Sequence, residues 1–313
     1  MNKNTIVVLD AVTMGDVSVL ERFKDFGELT IYQSTSAEQT VEHIGNANIV
    51  ITNKVIFDAN ILQSCKSLKL ICLTATGMNN VDLDFAQKQG IQVKNVAGYS
   101  TESVAQHTFA LLLSFLHSTA YYNNYVQSGA YSESGIFTHM EKPYWELSGK
   151  KWGIIGMGAI GRRVAQIATV FGAEVLYFST SGKNNNQDYK QVSLSELMQN
   201  SDVISIHSPL NDDTRNLISY KELQLCKKNA IIVNVGRGGI INETDLAQSL
   251  LENKIAGACL DVMEKEPLPN NSPLLNPEIK DKLLITPHTA WISNEALNTL
   301  FNKVYDNIAE FWA

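Results

Sequence analysis

Three short stretches hold side chains suited to acid–base and anion chemistry, and each follows or closes an apolar run. Gly236-Arg237-Gly238-Gly239 comes after NAIIVNV, Asp261 and Glu266 lie in and beyond IAGACLDV, and Pro287-His288-Thr289-Ala290 comes after LLIT. An arginine between glycines has little reason to sit in a loop for packing, and its planar fork suits a carboxylate or a polarised carbonyl. A histidine beside a proline at a strand end can give or take a proton near neutral pH. A glutamate nearby would favour its protonated form and fix its tautomer. A fourth stretch, KWGIIGMGAIGRRVAQIATVFGAEVLYF, contains the turn Gly156-Met157-Gly158-Ala159-Ile160-Gly161. Gly156 makes the tight turn, Gly158 lets a pyrophosphate approach the backbone, and Gly161 lets helix and strand pack closely, with the helix N-terminus receiving the anion. A dinucleotide beside an anion-holding arginine and a proton-carrying histidine describes hydride transfer, which needs one such proton partner.

These stretches have to be positioned by a parallel sheet. The first hundred residues alternate the apolar runs TIVVLD, ELTIY, NIVIT, LKLICLT and IQVKNV with helix-like segments such as Val17 to Phe26 and Ala37 to Ile44. Short strands separated by amphipathic helices predict an α/β unit whose ligands lie beyond the strands' carboxyl ends. Asn53, after NIVI and Thr52, and Thr76 with Gly77, after LKLICL, occupy such ends. A run of small residues there can aim backbone N–H groups at a carboxylate, and it reads equally as an ordinary strand-to-helix loop. The α/β rhythm resumes at Lys151 and continues to LLIT, so the fold class is α/β with two doubly wound parallel-sheet domains.

Between them, Thr101 to about Tyr122 reads as one helix capped by Ser100 or Thr101, with His107 and His117 as packing or interface residues. Tyr121 to Gly149 is aperiodic and rich in Tyr, Ser and Gly; such an excursion predicts a dimer arm. Ser193-Leu194-Ser195-Glu196 and Ser219-Tyr220-Lys221-Glu222 have capping-box spacing, and a last helix starts near Ser293.

The 313 residues suffice for two ordinary domains, and 44% apolar with 18% charged residues describes a globular protein. A net charge of -7 without a basic stripe offers nothing to nucleic acid or an anionic membrane. The run Phe109 to Leu116 is too short to span a bilayer, and MNKNTIVVLD has no signal-peptide plan, so a cytoplasmic location is expected. Cys65, Cys72, Cys226 and Cys259 are widely spaced, predicting buried, reduced thiols and no metal.

The motifs GIIGMGAIG, HSPLNDDTRNLI, NVGRGGIINETDL, GACLDVMEKEP and ITPHTAW, with TGMNNVD and NVAGYSTESVAQ before them, run in order along almost the whole chain. Together they resemble the D-isomer-specific 2-hydroxyacid dehydrogenases, and most closely the glycerate dehydrogenase or hydroxypyruvate reductase branch. The resemblance implies a flavodoxin-like substrate domain of residues 1–99 completed by 289–313, a Rossmann dinucleotide-binding domain of residues 100–288 inserted into it, hinges near Gly98 and His288, and a homodimer. It implies that Arg237 holds and polarises a small 2-oxo acid, that His288 protonates its carbonyl oxygen, and that Glu266 supports the imidazolium. Ala159 and Ile160 would meet the pyrophosphate, Ser208 and Pro209 the adenosine side, and Val235 with Asp261 the nicotinamide, and Gly236 would also bind the cofactor. Thr76 and Gly77 would bridge cofactor and substrate, Asn53 would line the substrate pocket, and His207 would stand behind Ser208.

The chain departs from the family's NAD pattern at Ser179, where many members place an aspartate for the ribose diol. With Thr180, Ser181 and Lys183 following it, NAD and NADP both remain open. D-Lactate, 3-phosphoglycerate and formate are the alternative substrates, and a non-catalytic NAD(H)-sensing protein is the alternative class.

Overall fold

The computed structural model describes residues Asn4–Trp312. The chain divides into two compact units, Met1–Ser100 with Ile292–Ala313 and Thr101–Trp291.

In the first unit the strands are β1 (Asn4–Val8), β2 (Gly27–Ile31), β3 (Ile49–Thr52), β4 (Leu70–Leu73) and β5 (Gln92–Lys94). They pair in parallel in the order β2-β1-β3-β4-β5. Every residue of β3 and β4 is buried, as expected of strands covered on both faces, and this explains why their sequences are unbroken apolar runs. Asp58 and Asp82 start two of the covering helices by accepting from the backbone N–H groups of Ile61 and Phe85. Val17–Phe26 winds as a 3-10 helix, not the α-helix its composition implies. Its two buried residues, Leu20 and Phe23, are three apart, the spacing that a 3-10 helix stacks on one side. The final helix, Asn294–Trp312, buries Ala296, Leu300, Phe301, Val304 and Ile308 as one stripe and packs on β4 and on the Val17–Phe26 segment.

The second unit contains β6 (Lys151–Ile155), β7 (Glu174–Phe178), β8 (Lys190–Gln191), β9 (Val203–Ile206), β10 (Ile231–Asn234), β11 (Gly257–Leu260) and β12 (Leu283–Ile285). Their order is β12-β11-β10-β9-β6-β7-β8, all parallel. The strand order reverses between β6 and β9, the switch point where such sheets open a ligand crevice. One face is covered by the helices Thr101–Leu116 and Ala159–Val170, whose Phe109, Leu112, Val164 and Ala168 pack with Trp152 and Val203. The other face is covered by Leu194–Asn200 and Glu243–Leu251.

Three expectations from the sequence change. The helix expected from Thr101 to about Tyr122 stops at Leu116; Ser118 takes a left-handed φ of 48°, and a second helix covers Thr119–Gln127. The stretch after Tyr121 is therefore partly helical, with Ala130–Ser134 set between left-handed Gly129 and Gly135. Neither of these helices has a buried residue, so the apolar period that would announce them is missing. Ring contacts hold the segment together instead: His139 stacks on Tyr125 at 4.0 Å, and the Tyr121 hydroxyl donates to Glu141 Oε2 at 2.7 Å. Ser193 does cap its helix, but the Glu196 carboxylate pairs with Lys190 at 2.9 Å, leaving half of the expected box.

Cys65, Cys72 and Cys259 are buried free thiols and Cys226 is half-buried. Among the described residues no helix is long and apolar enough to cross a membrane.

Candidate active site

The glycine turn joins β6 to the Ala159–Val170 helix at the switch point. A Cβ on Gly161 would come within 2.1 Å of the Gly156 carbonyl oxygen, so only glycine lets the helix sit this close to the turn. A Cβ on Gly158 would meet nothing within 4 Å, which leaves that side of the turn open. The helix has no side-chain cap at Gly158, so its first N–H groups, from Ala159 onward, are available to an anion. Beyond the ends of the two strands flanking β6, the buried hydroxyls of Ser179 and Ser208 have no hydrogen-bond partner among the described residues. An open glycine at a helix N-terminus between two orphaned hydroxyls fits a dinucleotide. Next to Ser208, burial pushes the His207 imidazole down to about 3, so the ring is neutral at neutral pH. Pro209 is held by its carbonyl, which accepts from Thr214 Oγ1 at 2.7 Å.

The loops bearing Arg237, Asp261 with Glu266, and His288 follow β10, β11 and β12, which are neighbours in the sheet. Gly238 brings the first two loops together: a Cβ there would lie 1.9 Å from the Met263 carbonyl oxygen. Glu266 accepts from the Met263 backbone N–H at 3.0 Å through one carboxylate oxygen and meets His288 Nδ1 at 2.7 Å with the other. The contact assigns the Nδ1 proton to the histidine and leaves Nε2 as the ring atom that exchanges protons. Arg237 donates to the Gly236 carbonyl at 2.9 Å, and among the described residues no carboxylate is paired with it. A fixed cation without an internal anion suits an anionic ligand.

Asn234 was not singled out in the sequence. It is buried at the end of β10, accepts from Gly236 N at 3.1 Å and donates to the Arg237 carbonyl at 2.9 Å, which sets the course of the arginine loop. The available signal was a polar residue closing an otherwise apolar strand.

Asp261 is fully buried and anchors the next loop. Its carboxylate accepts from Thr286 Oγ1 at 2.6 Å and from the backbone N–H groups of Thr289 and Ala290 at 2.8 Å each. Burial pushes this carboxyl up, but hydrogen bonds from His107, Thr286, Thr289 and Ala290 outweigh it and hold the group below the ordinary carboxylate range, so it is ionised at neutral pH. His107, expected to be a packing or interface residue, is a polar partner: its Nε2 lies 3.1 Å from Thr286 Oγ1 and 3.4 Å from Asp261 Oδ1. His117, by contrast, lies against Tyr144 with ring centroids 3.8 Å apart.

In the first unit, Asn53 and Thr76 follow β3 and β4. Asp10, beyond β1, accepts from Thr52 Oγ1 at 3.0 Å, from Asn53 N at 3.0 Å and from Lys54 N at 2.7 Å. Asn53 is buried and donates to Thr13 Oγ1 at 3.3 Å. The Thr76 hydroxyl donates to the Val96 carbonyl at 3.1 Å, and Asn95 reaches the Thr76 carbonyl at 2.6 Å.

Residues 109–290 match the family model described as D-isomer specific 2-hydroxyacid dehydrogenase, NAD binding domain. The chain is 35% identical to the hydroxypyruvate reductase of Blautia hydrogenotrophica, over 98% of this chain and 96% of the relative. It is equally similar, at 35% and with the same coverage of both chains, to the glycerate dehydrogenase of Methylorubrum extorquens. Among solved structures it resembles an acyclic imino acid reductase in complex with NADPH and D-Arg, with a TM-score of 0.85 and 28% identity over 98% of this chain and 97% of that one.

Proposed function

The chain belongs to the D-isomer specific 2-hydroxyacid dehydrogenase family, and from that premise we propose that it reduces a small 2-oxo acid, hydroxypyruvate or glyoxylate, to the D-2-hydroxy acid with NAD(P)H. The carrying observation is the 2.7 Å contact between Glu266 and His288 on loops beside an arginine that no carboxylate among the described residues pairs with. The Thr101–Trp291 unit is read as the dinucleotide half, and the strand ends bearing Asn53, Thr76 and Gly77 as the substrate half. When bound, the nicotinamide supplies or accepts the hydride. Arg237 holds the substrate carboxylate and draws electron density from the carbonyl oxygen. His288 Nε2 gives its proton to that oxygen, and Glu266, hydrogen-bonded to Nδ1, steadies the imidazolium before and after transfer.

The test is a kinetic matrix of hydroxypyruvate, glyoxylate, pyruvate and 3-phosphohydroxypyruvate against NADH and NADPH. Turnover of hydroxypyruvate or glyoxylate above the others is expected. NADH binding with no turnover of any 2-oxo acid would favour the NAD(H)-sensing alternative.

Ser179 carries the reading of cofactor choice. A hydroxyl without a hydrogen-bond partner among the described residues follows β7 where a carboxylate would repel a 2′-phosphate, so both dinucleotides should be used. Ser179→Asp should raise KM for NADPH about tenfold or more by like-charge repulsion while leaving NADH in use. Equal effects on the two cofactors would place the 2′-position elsewhere.

The apolar residues Ile136, Phe137 and Met140, which are exposed on the segment after Tyr121, are read as a dimer face. Sedimentation equilibrium should then give twice the 34.6 kDa chain mass. The free cysteines fit a cytoplasmic setting.

A further inference from the structure

His107 has no part in the mechanism above, yet its surroundings assign its chemistry. The Thr286 hydroxyl gives its one proton to Asp261 Oδ1 at 2.6 Å, so toward His107 it can only accept. The ionised Asp261 carboxylate can only accept as well. With acceptors at 3.1 and 3.4 Å, His107 Nε2 carries a proton and donates to both. No lysine or arginine among the described residues pairs with Asp261, so this imidazole is the one ionisable donor at a fully buried carboxylate.

The turn bearing His288 hangs from the same cluster. The His288 N–H donates to the Asp261 carbonyl at 2.8 Å, and the next two N–H groups donate to its carboxylate. His288 itself has a φ of 56°, a left-handed conformation that a non-glycine residue keeps only where its surroundings hold it. The Thr101–Leu116 helix grips both ends of this turn from one face. Ser103, one helical turn before His107, donates its hydroxyl to the Ala290 carbonyl at 2.6 Å, while His107 meets Thr286 at the other end. An apolar residue at position 107 would satisfy the packing of a buried helix but would remove a donor from the anchor beneath the turn.

We propose that His107 is a positioning residue for the reaction: its Nε2–H, acting through Thr286 and Asp261, holds the Thr286–Ala290 turn in the left-handed conformation that sets His288 against Glu266. This rests on the reading of His288 as the acid–base group and adds the residue that keeps it in place.

His107→Leu removes the donor and keeps the bulk, whereas His107→Gln offers an amide N–H to the same acceptors. For the leucine variant, kcat with hydroxypyruvate should fall on the order of tenfold, with KM and NADH affinity changed less than about twofold, and the glutamine variant should recover most of the loss. In 15N-histidine-labelled protein without cofactor, the His288 imidazole resonances should move in the leucine variant and return in the glutamine variant. Thr286→Val, which removes the relaying hydroxyl, should give the same loss, with no further loss when combined with His107→Leu. Should the leucine variant fail to fold, the valine variant carries both readouts.

Unchanged kcat and unmoved His288 resonances in the variant that removes the donor would overturn the proposal. So would additive losses, or a glutamine variant as impaired as the leucine one at equal thermal stability. A wild-type enzyme that turns over no 2-oxo acid would instead defeat the functional reading, while the resonances would still decide the positioning role.

Discussion

Replacing His288 should lower kcat for hydroxypyruvate by about 10³-fold, within the range a positioned general acid supplies. Glu266 occupies Nδ1 at 2.7 Å, so the proton delivered to the substrate oxygen comes from Nε2 and no other side chain of that pair can supply it. The choice of substitution decides whether the result is readable. At a φ of 56° alanine adds backbone strain, whereas asparagine tolerates the left-handed region and cannot titrate. His288→Asn should therefore keep its thermal transition and bind NADH as the unaltered protein does, by fluorescence titration, while single-turnover hydride transfer collapses. Retention of more than about a tenth of the unaltered rate would remove His288 from the acid–base role.

Arg237→Gln should cut kcat/KM by about 10³-fold, divided between weaker substrate binding and lost polarisation of the carbonyl. The loss follows from the arginine's situation: it is bonded to the Gly236 carbonyl, its loop is held by Asn234, and no carboxylate among the described residues pairs with it. Since no ion pair among the described residues uses that charge, the melting temperature should stay near that of the unaltered protein. Arg237→Lys separates the two contributions. It keeps a cation but loses the bidentate fork, so KM should recover further than kcat. A lysine variant with full kcat would show that geometry at this position is unimportant and would sink the assigned role.

Much of this was legible in the chain because the signals were local. The apolar runs of β3, β4, β6 and β10 mark strands buried on both faces, and the spacing of Gly156, Gly158 and Gly161 marks a turn whose demands are set within a few residues. Arg237, Asp261 and His288 could be placed at strand ends from the same local pattern. What misled were elements without an apolar period, such as Thr119–Gln127, and a histidine whose partners lie far along the chain.

The parallel α/β architecture, the dinucleotide turn and the chemical types gathered at the strand ends could be read from the chain, because backbone preference and hydrophobic period act over short spans. The folded arrangement alone shows that β10, β11 and β12 lie side by side, that Glu266 faces Nδ1 of His288, and that Asp261 is tied to His107 across the helix–sheet interface. Those contacts join residues far apart in sequence, and their geometry is set by how the sheet orders its strands and how closely Gly238 lets two loops approach, which no local pattern encodes.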